Sequence, residues 1–169
     1  MEGGSLFVIH KVTFAYRPVE DRICVSAATP TGETLRLWLT RRLTCQFIPY
    51  LPLGKKATDD EYSDGRTAAA ADQAVDADSG NSSAVECDAS SDEFLIVSID
   101  IKHHEEQWSL VFKDANDEHR AALTFGLDVG HQIADALNTC FQVAGWSKGE
   151  WGQATPDFRA PSLGEVTIH

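Results

Sequence analysis

The stretch Glu33-Thr34-Leu35-Arg36-Leu37-Trp38-Leu39-Thr40-Arg41-Arg42-Leu43-Thr44-Cys45-Gln46-Phe47 changes its hydrophobic period in the middle. Leu35, Leu37 and Leu39 alternate with Arg36 and Trp38, the period-two pattern of a half-buried strand whose outer face carries a guanidinium and an indole. From Leu43 the spacing becomes i, i+4, i+8 through Phe47 and Leu51, which is one face of a helix. Thr40 stands at the join as an N-cap. Pro49 is expected to end or kink the helix near its last turn, because it donates no N–H and its ring crowds the turn before it.

Reading backward, Thr29-Pro30-Thr31-Gly32 is turn chemistry. Ile23–Ala28 is a strand with Ile23, Val25 and Ala27 alternating. Leu6–Tyr16 is expected as a single longer strand, closed by Pro18 and Glu20-Asp21-Arg22. The order is βββα.

The same order returns later in the chain. Phe94–Lys102 reads as a strand, His103-His104-Glu105-Glu106 as a polar bend, and Trp108–Lys113 as a second strand. Asp114-Ala115-Asn116-Asp117 is a turn before a third strand, Glu118–Phe125. Asp128 is expected to cap a helix in which Val129, Ile133, Leu137 and Phe141 share a face, and Gly145 to stop it. A shift of 86 residues lays 23–51 over 109–137 without a gap and puts Leu37 on Leu123, Leu43 on Val129 and Phe47 on Ile133. Identical pairs are few, so the argument for a repeat rests on the matching order of elements. The expected fold class is α+β: two tandem βββα units, each an antiparallel meander covered by its helix. The outcomes left open are a pseudo-two-fold pair and two merely similar meanders.

The chain has 169 residues and is 43% hydrophobic, enough for one domain with a substantial core. Its formal net charge is −12. Ten acids between Ala57 and Asp92, against the one base Arg66, place most of that excess in a segment of Ala, Asp, Ser, Gly and Thr. Such a composition buries too little apolar surface to offset ordering, so residues 57–92 are expected to be a disordered acidic insertion. The domain then spans 1–145, with half one at 5–56 and half two at 93–145. Residues 146–169 form a tail that contains Trp146, Trp151 and Phe158.

An acidic chain is a poor partner for a phosphate backbone, which binds through Lys and Arg. No apolar run approaches the roughly 20 residues of a membrane helix. The start, Met1-Glu2-Gly3-Gly4-Ser5, does not read as a secretory leader. Cys24, Cys45, Cys87 and Cys140 are widely and irregularly spaced, which fits reduced thiols in a cytoplasm better than a disulfide framework or zinc ribbon.

No nucleophile elbow, dinucleotide fingerprint or Walker sequence occurs in the chain. No catalytic residue, cofactor or metal site is therefore assigned. His103 and His104 are adjacent on a strand and point to opposite faces, which suits a polar turn better than a metal site. Cys45 and His131 occupy equivalent helical places, but a buried inert thiol is the commoner state of a free cysteine.

The leading expectation is a non-enzymatic protein-binding or assembly protein. Its anchors would be Trp38 and Arg36 on the outer strand face and Trp146, Trp151 and Phe158 in the tail. The partner would be another protein or a second copy of the chain. The competing expectation is a small enzyme or ligand-binding domain whose pocket gathers His10, His103, His119 or His131 with carboxylates. Convergence of those groups in one cavity separates the two readings.

Overall fold

A computed structural model describes residues 5–52, 73–76, 83–146 and 164–169. The fold is α+β, with two five-stranded sheets and two α-helices. The first half begins with β1 (Leu6–Ile9) and β2 (Lys11–Arg17), where the sequence pattern predicts one continuous strand. The chain bends at His10, whose N–H donates to the Ala28 carbonyl at 2.8 Å. A meander follows through β3 (Arg22–Ala28) and β4 (Thr34–Leu39) and leads into α1 (Arg41–Phe47). A short strand, β5 (Gln73–Asp76), stands between the halves. The second half breaks as the first does. β6 (Asp92–Leu95) and β7 (Ser98–His104) are separated at Ile96 and Val97, whose N–H groups donate to the carbonyls of Trp38 and Lys113. β8 (Gln107–Lys113), β9 (Arg120–Gly126) and α2 (Leu127–Ala144) complete it, and β10 (Gly164–Ile168) follows.

The two breaks have one consequence. Each half supplies its first short strand to the sheet that the other half builds. β1 lies parallel to β9, with Ile9 opposite Leu123, and β6 lies parallel to β4, with Phe94 opposite Leu37. Within each meander the pairing is antiparallel and apolar on the inner face: Val25 faces Phe14 and Leu37, and Leu110 faces Ile101 and Leu123. A further strand flanks each sheet on the opposite side. β5 pairs with β2, and β10 pairs with β7, both antiparallel. β5 falls inside the segment expected to be disordered; positions 57–72 and 77–82 of that segment lie outside the described residues. The final orders are β1-β9-β8-β7-β10 and β5-β2-β3-β4-β6.

One hydrophobic cluster spans both halves. Ile23, Leu37, Leu39 and Phe47 of the first half and Ile99, Leu110, Phe125, Leu137 and Phe141 of the second are all under 3% exposed. Full burial stabilises each such side chain by about 1.5–3 kcal/mol. Thr40 caps α1 by accepting from the Leu43 N–H, as the sequence pattern predicts. At Pro49 the α-helix gives way to a 3-10 turn, Ile48–Tyr50. The cap of α2 is Gly126 rather than Asp128. The helix starts earlier than expected, and Asp128 lies inside its first turn, where a carboxylate still suits the positive end of the dipole. Gly145 ends α2 at φ 67°, where glycine carries no Cβ penalty, and its N–H and that of Trp146 return to the last turn.

α2 packs against β2 and β5 as well as β8 and β9, so a helix of one half also covers strands of the other. Pro52, just after the 3-10 turn, lies so close to Gly130 that a Cβ there would sit 2.3 Å from the proline Cγ. Trp146 closes the far end. Its ring meets Tyr16 and Phe141 edge-on at 5.4 and 5.0 Å, and its Nε1 donates to Asp21 Oδ1, which also accepts from the Tyr16 hydroxyl. Ile168, in β10, is buried. Among the described residues no helix is long and apolar enough to cross a membrane.

This packing reverses an ordinary expectation at one glycine. Gly→Ala inside a helix usually stabilises by up to about 1 kcal/mol. Gly130→Ala is expected to destabilise by about 1–3 kcal/mol instead, because Pro52 must move away. Urea unfolding gives the sign. A pH dependence is expected at His119, which pairs with Asp114 at 2.7 Å in the β8–β9 turn. The Asp114 hydrogen bond raises the imidazole pKa, against a smaller opposing effect of burial. A raised folded pKa stabilises the protonated form, fully so below the ordinary histidine pKa, and the gain is lost as pH climbs through the raised value. The stability difference between wild type and His119→Gln should therefore be larger at about pH 6 than at about pH 8.5. A pH-independent difference would show that the ion pair carries none of the turn's stability.

Candidate functional site

The outer face of the β5-β2-β3-β4-β6 sheet is made of small and polar side chains at its centre. By period two, Thr13, Ala15 and Arg17 of β2, Cys24 and Ser26 of β3, and Arg36 and Trp38 of β4 point away from the core. Thr13 and Cys24 are nevertheless only 2% exposed, because the chain around Val85, on the way to β6, lies over this face. Three hydrogen bonds hold this strap. Val85 N–H donates to Thr13 Oγ1 at 2.8 Å, Lys11 Nζ to Ser83 Oγ at 3.2 Å, and Arg36 Nη2 to the Cys87 carbonyl at 3.1 Å. Bulkier residues at Thr13, Ala15, Cys24 and Ser26 would leave no room for it. Asp88 then turns the chain toward β6. Its carboxylate accepts from the Ser90 hydroxyl and N–H, which hold its pKa below the usual range, and Ser91 meets Thr34 at 2.6 Å.

The strap does not fill the whole face. Beside it lies a cavity of about 550 Å³. Its floor is Cys24 and Ser26, one wall is Trp38 and Arg36, and the other is Val85, Glu86 and Cys87 of the strap; Arg17 and Glu20 stand at the mouth. One carboxylate orders the wall. Glu93 Oε2 accepts from Arg36 Nη1 and from Trp38 Nε1, each at 3.3 Å. Both bonds are long, and the Glu93 side chain is 54% exposed, so the pair adds little stability by itself. Its effect is orientation: guanidinium and indole stand side by side facing the cavity. At the floor, burial pushes the Cys24 thiol pKa up, and the Ser26 hydrogen bond and the charges of Arg17 and Arg36 only partly offset it. Cys24 is thus a neutral thiol at pH 7 and a poor nucleophile.

Of the sequence-predicted anchors, the structure brings Arg36 and Trp38 together in this cavity. Trp146 sits elsewhere, against Tyr16 and Phe141 of its own fold. Trp151 and Phe158 lie outside the described residues. Arg17, Glu93 and the strap residues Val85 and Cys87 belong to the site and were not singled out from sequence. The small residues alternating on β3 were the available signal, since a strand face of Cys and Ser invites a close neighbour.

His103 and His119 stand apart from one another. His103 stacks on Trp108 with centroids 4.2 Å apart, and its Nε2 is buried with no hydrogen-bond partner among the described atoms. His119 adjoins Arg120, opposite Lys113. Trp108 and Lys113 mark opposite ends of β8, roughly 17 Å apart at strand rise, so these two imidazoles do not share a pocket. A second cleft, about 320 Å³ between Leu43, Leu95 and Val97, is lined by none of His10, His103, His119 and His131. Among the described residues no three His, Cys, Asp or Glu side chains are grouped to hold a metal ion. The chain matches no protein-family model, no curated protein and no solved structure.

The strap has a chemical readout. At pH 7 a thiol reagent should modify Cys87, which is partly exposed, well before buried Cys24. Thr13→Val leaves the Val85 N–H without its acceptor, a loss of about 1–3 kcal/mol. That should speed Cys24 labelling by about tenfold or more through local opening, with global unfolding affected less. Equal rates for both cysteines in wild type would mean that the strap does not cover β3.

Proposed function

We propose that this chain is a non-enzymatic protein-binding module and that its binding face is the strapped outer sheet around Arg36 and Trp38. The observation that carries the reading is the shared carboxylate: Glu93 holds an indole and a guanidinium side by side on one wall of a cavity. Trp and Arg are the residue types that most often dominate binding energy at interfaces, and pre-ordering them lowers the entropy that binding would otherwise cost. The lining carries both signs of charge, Arg17 and Arg36 against Glu20 and Glu86, which suits a polypeptide with mixed polar groups. On this reading Trp146 is an internal anchor of the fold. The two halves are one structural unit used twice, a relation supported by the positions of Leu6 and Asp92, Thr34 and Arg120, and Arg41 and Leu127. These pairs of element starts all stand 86 residues apart.

The test is a comparison of three immobilised proteins, wild type, Trp38→Ala and Arg36→Ala, against native cell extract, followed by titration of any protein retained. Truncating a central aromatic anchor should weaken binding by about 30-fold or more. A partner held equally well by all three would move the interface away from this face.

A further inference from the structure

The charges around the strapped cavity do not balance. Four of its lining side chains are charged: Arg17, Glu20, Arg36 and Glu86. Arg36 is already engaged, through Nη1 with Glu93 Oε2 and through Nη2 with the Cys87 carbonyl. Arg17 stands beside the Cys24 thiol. Glu20 and Glu86 are exposed, and among the described residues neither is in an ion pair. The charge left uncommitted at the cavity is therefore two carboxylates against one guanidinium, in a chain of net charge −12. Such a field repels an entering anion and attracts a cation. The remaining lining suits the stem of a long basic side chain. Trp38 and Val85 border one space of about 550 Å³, within the roughly 300–1,000 Å³ of small-ligand sites. Lys and Arg lay their methylene stems on apolar surface and keep the charged head among polar groups, and an indole ring itself attracts a cation.

We infer that this cavity takes one lysine or arginine side chain of a protein partner, its stem against Trp38 and Val85 and its cationic head within reach of Glu20 and Glu86. The inference rests on the reading of the Trp38 face as a binding surface and adds the chemistry of what enters it. An acidic side chain is the alternative that Arg17 and Arg36 bring to mind. Two things oppose it. Glu93 and the Cys87 carbonyl already occupy Arg36, and an acid would enter against the field of the whole chain. An apolar side chain would take water from Glu20 and Glu86 without supplying a partner for either. Val85 and Glu86 both belong to the strap, so the strap itself supplies part of the wall that a basic side chain meets.

A titration of the isotopically labelled full chain tests the inference, read from the indole N–H resonance of Trp38, which Trp38→Phe identifies. The probes are N-acetyl-arginine amide, N-acetyl-lysine amide, the uncharged isostere N-acetyl-citrulline amide and the acid N-acetyl-glutamate amide. The two basic probes are expected to shift the resonance saturably, with a Kd on the order of 1–10 mM for a single side chain. The citrulline and glutamate probes should bind at least about fivefold more weakly. Glu20→Gln and Glu86→Gln should each weaken the arginine probe by about threefold, with the unfolding temperature unchanged because both side chains are exposed. Raising the salt concentration should weaken it further. Equal binding of the arginine and citrulline probes overturns the inference, as does tighter binding of the glutamate probe or no saturable shift with either basic probe. The double variant Glu20→Gln/Glu86→Gln also joins the extract comparison, where loss of the partner from it and from Trp38→Ala is expected. A partner that Trp38→Ala loses, and that the double variant holds as tightly as wild type, leaves this face a binding surface but removes the basic side chain from it.

Discussion

Each sheet is closed by a strand that belongs to the other half of the chain, and two main-chain hydrogen bonds fix where the crossings occur. His10 N–H bonds to Ala28 and Ile96 N–H bonds to Trp38, at 2.8 and 2.9 Å. The bends leave β1 free to run beside β9 and β6 beside β4. Neither meander with its helix is large enough to bury a sufficient core alone. The exchange, with α2 reaching β2 and β5, makes the two halves share one apolar cluster. Pairings between residues as distant as Leu6 and Arg120 also demand loop closure before they stabilise anything, the condition that slows folding.

The candidate site depends on the same crossing. Glu93 stands on β6, a strand that reaches the first sheet only because the second half lends it. From there its carboxylate orders Arg36 and Trp38, while the chain just before β6 straps the small residues of β2 and β3. The wall, the strap and the exchanged strand are therefore one continuous stretch, Ser83 to Leu95, laid over strands of the first half. A disturbance of the crossing would reach the cavity without touching either anchor.

The two sheets use their outer faces differently. One is covered at its centre, with its openings lined by charge. Among the described residues the other carries a short, partly exposed apolar row that runs from Val8 to Val111 and ends at the Asp100–Lys113 pair. The inner faces are alike in character because both serve the same core. The difference lies wholly in residues that the core does not constrain, which is where binding functions are free to diverge.

Much of the fold was legible in the residues. The alternation Leu35–Leu39, the switch of period at Thr40, the turn before Glu33 and the stop at Gly145 are local patterns with local causes, and the α+β class and the order of each meander followed from them. So did the outward direction of Arg36 and Trp38, which are half-buried rather than exposed. Sequence missed the breaks at His10 and at Ile96–Val97, because a strand that bends into another sheet keeps its β-forming composition on both sides of the bend. It missed the cap of α2, where Asp128 resembles a cap but the extended Gly126 backbone precedes it. It read Gln73–Asp76 and Val85 as part of a featureless acidic segment, since a strand of four residues has no period to detect and its partner, β2, is distant in sequence. Local periodicity thus determined the elements and their inward faces. Which sheet each edge strand joins, and with it the pairing of Glu93 with Arg36 and Trp38, was decided by long-range hydrogen bonding and packing, which no local pattern encodes.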